Sequence, residues 1–186
     1  EKERAGSYQI EVLAKSKEHE VPITLRFQEL RDEQMQPAHG ELPFFLQENT
    51  VIQFLQYPYE QVVAENFVEI LEKMELINDL SCYEEIYGIL KKEALDGRKV
   101  EQQIIEVGTK RELFFGKDRL DTVLHYKDYT YMKRKWTAYL KRERKKEPDW
   151  VEVMTLLEAF FPPVWRAIIR DEIFIGDWMP ELCRFL

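Results

Sequence analysis

The chain concentrates its potential chemistry in three places. Residues 133–146 (KRKWTAYLKRERKK) hold eight basic side chains, Lys133, Arg134, Lys135, Lys141, Arg142, Arg144, Lys145 and Lys146, against one acid. Cations at that density can grip a phosphate backbone. The plain alternative is a solvated helix face, or a patch answering an acidic partner. Residues 57–90 carry the second set: Glu65, Asn66 and Lys73, then Glu85 and Tyr87. Near the start of a helix the backbone dipole favours phosphate beside Glu65 and Asn66. Lys73, two turns on from Asn66, adds a positive charge on roughly the same side. Glu85 and Tyr87 could contact a base or move protons, although Tyr87 also falls on an apolar stripe, where packing is its ordinary use. The third place is Glu11, a carboxylate inside an apolar strand, whose plain reading is an outward-facing charge.

Composition narrows the class. The 186 residues are 45% hydrophobic and include eleven Phe, nine Tyr and four Trp. That is enough apolar material for a real core. A net charge of −8 argues against a general nucleic-acid coat while leaving room for a local basic face. Cys82 and Cys183 sit in no metal-ligand or disulfide spacing, and a reducing cytoplasm is the expected setting. His19, His39 and His125 show no ligand spacing either. The hydropathy pattern predicts neither a membrane-spanning helix nor a signal peptide. The start at Glu1 reads as a trimmed chain or a fragment of a longer one.

Alternation predicts strands over residues 7–13 and 21–27, an antiparallel pair joined by a charged connection at 15–20. Pro37, Gly40 and Pro43 predict a loop over 34–43. A third strand is expected at 50–57, stopped by Pro58. The period then turns helical. Val63, Phe67, Ile70, Leu71 and Met74 form one stripe. A second helix, capped by Asp79 or Ser81, carries Tyr83, Ile86, Tyr87 and Leu90, and Asp96-Gly97 ends it. A short helix over 100–107 closes at Gly108. After a hinge-like stretch at 111–117 comes a long helical region, with Met132, Trp136, Tyr139 and Leu140 at helix spacing and Pro148 as its break. The helix over 150–161 is expected to kink or stop at Pro162-Pro163. The aromatic tail after it is expected to pack back on the body. The expected architecture is α+β: a small, mostly antiparallel N-terminal sheet (a partial lobe, 1–58) packed on a larger C-terminal helical lobe with the aromatic tail (59–186).

This order of segments resembles the AbiEii-type nucleotidyltransferases, toxin-like members of the polymerase-beta superfamily tied to abortive infection (phage defence) and toxin–antitoxin pairs. SYQIEVL is similar to the family's apolar strand bearing a carboxylate, and QYPYEQVVAEN to its tyrosine-proline segment leading into an Ala-Glu-Lys helix start. CYEEIYGIL is similar to its Arg-Asp-x-Tyr-Asp segment. RKWTAYLKRE and VEVMTLLEAFFPPVW are similar to its C-terminal helices. The match runs from about Tyr8 to Ile169. The resemblance implies transfer of a nucleotidyl group from a nucleoside triphosphate to RNA or protein with magnesium. Glu11 would be a metal ligand and catalytic. Glu65, Asn66 and Lys73 would line the triphosphate side, with Glu85 and Tyr87 as the catalytic opposite wall. It also implies tRNA, or a cognate antitoxin or other protein, as partner.

The departures fall on the residues that such chemistry needs most. The family's Gly-Ser turn followed by Asp-x-Asp has no counterpart here. Asn66 stands where the lysine is expected, and Ser81-Cys82 where Arg-Asp is expected. Either a metal-binding half lies elsewhere in a longer enzyme, or the chain is a relative that has lost ordinary catalysis. Asn66 and Cys82 favour loss, because a missing first half would not change them. The rival expectation is a non-catalytic RNA- or protein-binding module that uses residues 133–146.

Overall fold

The computed structural model describes residues 7–16, 19–28, 37–43 and 50–186. The fold is α+β, with small antiparallel sheets toward the N-terminus and a helical lobe toward the C-terminus. Two compact units are present, Glu1–Gln36 and Pro37–Leu186.

In the first unit β1 (Ser7–Ser16) pairs antiparallel with β2 (His19–Gln28). Ile10 faces Leu25, Val12 faces Ile23 and Ala14 faces Val21, so the alternation places these residues on one side of the ribbon. Pro22 is tolerated within β2 because a two-stranded ribbon has only edges. The expected connection at 15–20 is shorter than read. Lys15 and Glu20 lie inside the strands, opposite each other, with Nζ 2.6 Å from the carboxylate. Such cross-strand charge pairs extend a ladder. Residues 17 and 18 lie outside the described residues.

The second unit begins with β3 (Ala38–Pro43), paired antiparallel with β4 (Val51–Gln56). β3 overturns the loop expected at Pro37, Gly40 and Pro43; residues 34–36 of that stretch lie outside the described residues. Pro37 precedes the strand and Pro43 is its last residue. Gly40 sits beneath the Phe54 ring, where a Cβ would collide with it. The glycine is a seat for a cross-strand aromatic and not a turn.

Pro58 opens α1 (Tyr59–Lys73), its carbonyl taking the N–H groups of Gln61 and Val62. The stripe Val63, Phe67, Ile70 and Leu71 is buried, while Met74 turns out of the helix into a single 3-10 turn, Met74–Leu76. α2 (Ser81–Lys92) is preceded by Asp79, whose carboxylate accepts from the Ser81 N–H at 3.0 Å. Asp96 and Gly97 do not terminate α2. Asp96 ends the short strand β5 (Leu95–Asp96) and caps α3 (Gly97–Lys110), accepting from the Arg98 and Lys99 N–H groups. An Asx residue serves a helix start better than a helix stop. Gly108 lies inside α3 and not at its end, because the Phe115 ring packs against its bare Cα.

The long helical region expected before Pro148 is two helices, α4 (Lys117–His125) and α5 (Thr130–Arg142). They part at Tyr126, whose carbonyl accepts from the Tyr129 N–H at 3.1 Å in a turn and from Trp150 Nε1 at 2.8 Å. Met132, Trp136, Tyr139 and Leu140 of α5 are all buried. α6 (Trp150–Arg170) runs through Pro162 and Pro163 where a kink or stop was expected. The two missing N–H groups free the carbonyls of Glu158 and Ala159, both solvent-exposed residues, so water can serve them. Phe160, Phe161, Val164 and Trp165 around the prolines are buried, which holds the helix in place.

The tail returns to the body. β6 (Asp177–Met179) and β7 (Arg184–Phe185) extend β5 into a three-stranded antiparallel sheet. Trp178 is buried, with Nε1 donating to the Leu90 carbonyl at 2.8 Å. One apolar cluster joins these elements. Phe67 stacks on Phe161 at 3.7 Å, and Phe160 meets Trp178 edge-on at 5.0 Å.

Candidate functional site

Helices α1 and α2 bring two of the expected nucleotide-site residues together. Asn66 Nδ2 donates to Glu85 Oε2 at 2.9 Å. Because α1 begins at Tyr59, Glu65 and Asn66 lie nearly two turns in, beyond the unpaired N–H groups that make a helix start attractive to phosphate. This corrects their placement at a helix opening. Glu65 accepts from Gln61 at 2.9 Å, and Lys73 pairs with Glu69 at 2.6 Å, so its charge is already answered within α1. Tyr87 leaves α2 toward α6, where its hydroxyl donates to Glu152, with Lys91 3.9 Å from the same carboxylate. Glu85 and Tyr87 therefore serve different interfaces. Burial, then the bond to Glu152, pushes the Tyr87 phenol well above its ordinary pKa. It is a proton donor to a carboxylate and a poor general base.

Glu11 stands on β1 opposite Thr24, with Gln9 and Leu13 beside it on the same face. None of these offers a further carboxylate. Among the described residues no group of three or more His, Cys, Asp or Glu is placed to hold a metal ion. With Glu11 as their one carboxylate, these side chains do not fit magnesium. Cys82 is buried and Cys183 partly buried, and both are free thiols. Burial pushes the Cys82 thiol up to about 12. Among the described residues no helix is long and apolar enough to cross a membrane.

The basic segment divides into side chains tied to the fold and side chains facing outward. Lys135 is tied: its ammonium donates to the Glu75 carbonyl at 3.0 Å and to the Ile77 carbonyl, closing the 3-10 turn. Arg142 lies over the Tyr139 ring and 3.0 Å from Glu143. Arg134 and Arg144 are exposed. Lys133, Lys141, Lys145 and Lys146 gather around an open groove of about 520 Å³ between α5 and the start of α6. Its floor is Trp136, Leu140 and Trp150. Trp136 Nε1 donates to the Pro148 carbonyl at 2.9 Å, so both indoles of the floor have internal partners. Asp149, also in the lining, caps α6 by accepting from the Glu152 N–H at 2.8 Å.

One residue of this region had no signal in the sequence. Glu84 accepts from Tyr139 at 2.6 Å and from Lys145 at 2.6 Å, joining α2 to the middle and the C-terminal end of the basic segment. The partners lie 55 and 61 positions away, beyond the reach of any spacing rule. Burial works to raise the Glu84 pKa, but the bonds from Lys145 and Tyr139 outweigh it and hold the carboxyl below its usual range. The folded value is thus depressed relative to the unfolded one. The stability it contributes is present above the ordinary carboxylate pKa, about 4.3, and is lost as pH falls through the folded value. Glu84→Gln should remove this component. Urea unfolding at pH 7 and pH 3 should show a smaller acid-induced loss for the variant than for the parent chain. Equal losses would contradict the assignment.

Comparison with known protein families, curated proteins and solved structures finds no match to this chain.

Proposed function

We propose that this chain is a non-catalytic relative of the AbiEii-type nucleotidyltransferases that binds the phosphate backbone of RNA in the groove between α5 and α6. One observation carries the reading: four lysines of an acidic chain converge on a single groove, Lys141 and Lys146 together with Lys133, 3.8 Å from Asp128, and Lys145, paired with Glu84. A chain of net charge −8 repels polyanions over most of its surface, so such local concentration of positive charge is what permits contact. Opposite charge alone attracts at long range, and each phosphate contacted releases counterions. Of the residues expected to form the two walls of the nucleotide site, Asn66 is bonded to Glu85 and Tyr87 to Glu152. A cytoplasmic setting and a role beside a toxin–antitoxin pair belong to the same proposal.

The second reading, nucleotidyl transfer, is favoured by one contact. Asn66 and Glu85 meet across α1 and α2, the pair of helices that the resemblance assigns to the two walls of a nucleotide cleft. Label from a nucleoside triphosphate appearing on RNA or protein would establish it over the binding reading.

The binding reading is tested by the triple variant Lys133→Glu, Lys141→Glu and Lys146→Glu, with fluorescence anisotropy on a labelled tRNA over a range of salt. Affinity should fall at least tenfold at low salt. The salt slope should drop by about 2, since each single-strand phosphate that a lysine no longer neutralises takes about 0.7 from it. Equal weak binding by both proteins would overturn the proposal.

A further inference from the structure

We infer that the groove takes unpaired RNA, with Tyr129 as a stacking platform for a base at the end of its lysine line; this deepens, and rests on, the RNA-binding reading. Tyr129, Lys133, Thr137, Lys141 and Lys145 recur every four residues. Thr130–Arg142 is helical, and Tyr129 caps it, so these residues form one stripe along α5 and just past its end. Lys133, Thr137, Lys141 and Lys145 of the stripe line the groove. Tyr129 is the aromatic one turn before the first of them.

The aromatic side chains near the groove differ in what they offer a base. Trp136 and Trp150 are 1% and 4% exposed, and both of their N–H groups are bonded within the chain. They cannot present a ring face. Tyr129 is 48% exposed. Its ring centroid lies 6.0 Å from that of Tyr126 and 6.0 Å from that of Tyr131, each pair tilted. Tyr126 is buried and anchored, its hydroxyl donating to Glu75 at 2.7 Å. Tyr129 is thus backed by a fixed neighbour while much of its surface faces solvent. Acids near it are Asp128, 3.8 Å from Lys133, and at the far side of the groove Asp149, occupied with its helix cap.

A line of cations ending on the exposed Tyr129 ring, beside the equally exposed Tyr131, suits a strand whose bases can turn outward. A duplex keeps its bases stacked inside and offers a side chain only shape and phosphate. A single strand lets one base lie on the tyrosine while its phosphates follow the lysines, and any base serves because all have a π face. From Tyr129 to Lys141 the stripe is about 18 Å long at 1.5 Å per residue, the span of about five nucleotides at 3.4 Å each.

The probes are a labelled oligouridylate of six nucleotides and an RNA duplex of twelve base pairs, titrated against the whole chain. The parent protein should bind the single strand more tightly. Tyr129→Ala should weaken single-strand binding about tenfold, as loss of one base–aromatic stack does. It should leave duplex binding, the salt slope and the melting temperature unchanged, since the ring is half exposed. Tyr129→Trp should restore or strengthen single-strand binding. If Lys141→Glu with Lys146→Glu weakens binding but Tyr129→Ala does not, the groove reads phosphate alone, and this inference fails while the RNA reading stands. Tighter binding of the duplex also overturns it. If neither variant changes RNA binding, the underlying reading is wrong. A polyglutamate peptide that displaces the RNA equally from the parent and from Tyr129→Ala would make the groove a dock for acidic protein, and would sink the inference.

Discussion

Trp178→Ala is expected to cost about 4 kcal/mol of unfolding free energy, within the range for removing a large buried aromatic. Trp178 is buried in the sheet formed by β5, β6 and β7 and meets Phe160 and Phe185 at 5.0 and 5.3 Å. Its indole N–H also serves the Leu90 carbonyl, the last buried position of α2. Truncation opens a cavity and leaves that carbonyl to find water. For a chain of this length the loss should lower the melting temperature by roughly 8–16 °C, at 2–4 °C per kcal/mol. Urea denaturation and a thermal scan followed by circular dichroism would measure it. A change below about 1 kcal/mol would mean that the tail is not anchored as described.

Gly97→Ala should be nearly as damaging, at about 3 kcal/mol, the upper part of the range for overpacking. Gly97 opens α3, where alanine would ordinarily be the better helix former. Propensity alone therefore predicts a gain. Contact decides otherwise: a methyl at this position would press on the Gly176 carbonyl oxygen and the Phe174 ring. The Gly97 N–H also donates to that same carbonyl at 3.0 Å. A backbone oxygen cannot swing aside as a side chain can, so the tail must move. Because Trp178 and Gly97 fasten the same segment, the double variant should cost less than the sum of the two, by more than about 0.5 kcal/mol. Strict additivity would show that the two fastenings act independently.

The sequence is most legible where an element carries its own apolar period. The stripes of α1 and α5 and the alternation of β1 and β2 required no partner to be recognised, because period alone separates helix from strand. β3 was illegible because Gly40 has its use only beneath Phe54, a residue on another strand. The same holds for Asp96 and Gly97, whose partners are the start of α3 and a tail 79 positions further on. At the candidate site, the clustering of cations was readable, but their separation into tied and outward-facing ones was not. Lys135 reaches carbonyls 58 and 60 positions earlier in the chain, and Lys145 reaches Glu84. Charge runs announce potential, and only packing decides which members remain available to a ligand.

The pairing of β5 with β6 has a consequence for biosynthesis. Leu95 leaves the ribosome long before Trp178, its partner across the ladder. Throughout that interval the apolar side of Phe160 and the carbonyl of Leu90 lack the indole that later covers them. A nascent chain stalled after α6 should therefore be sticky and recruit chaperones, and release of the final strands should end that attachment.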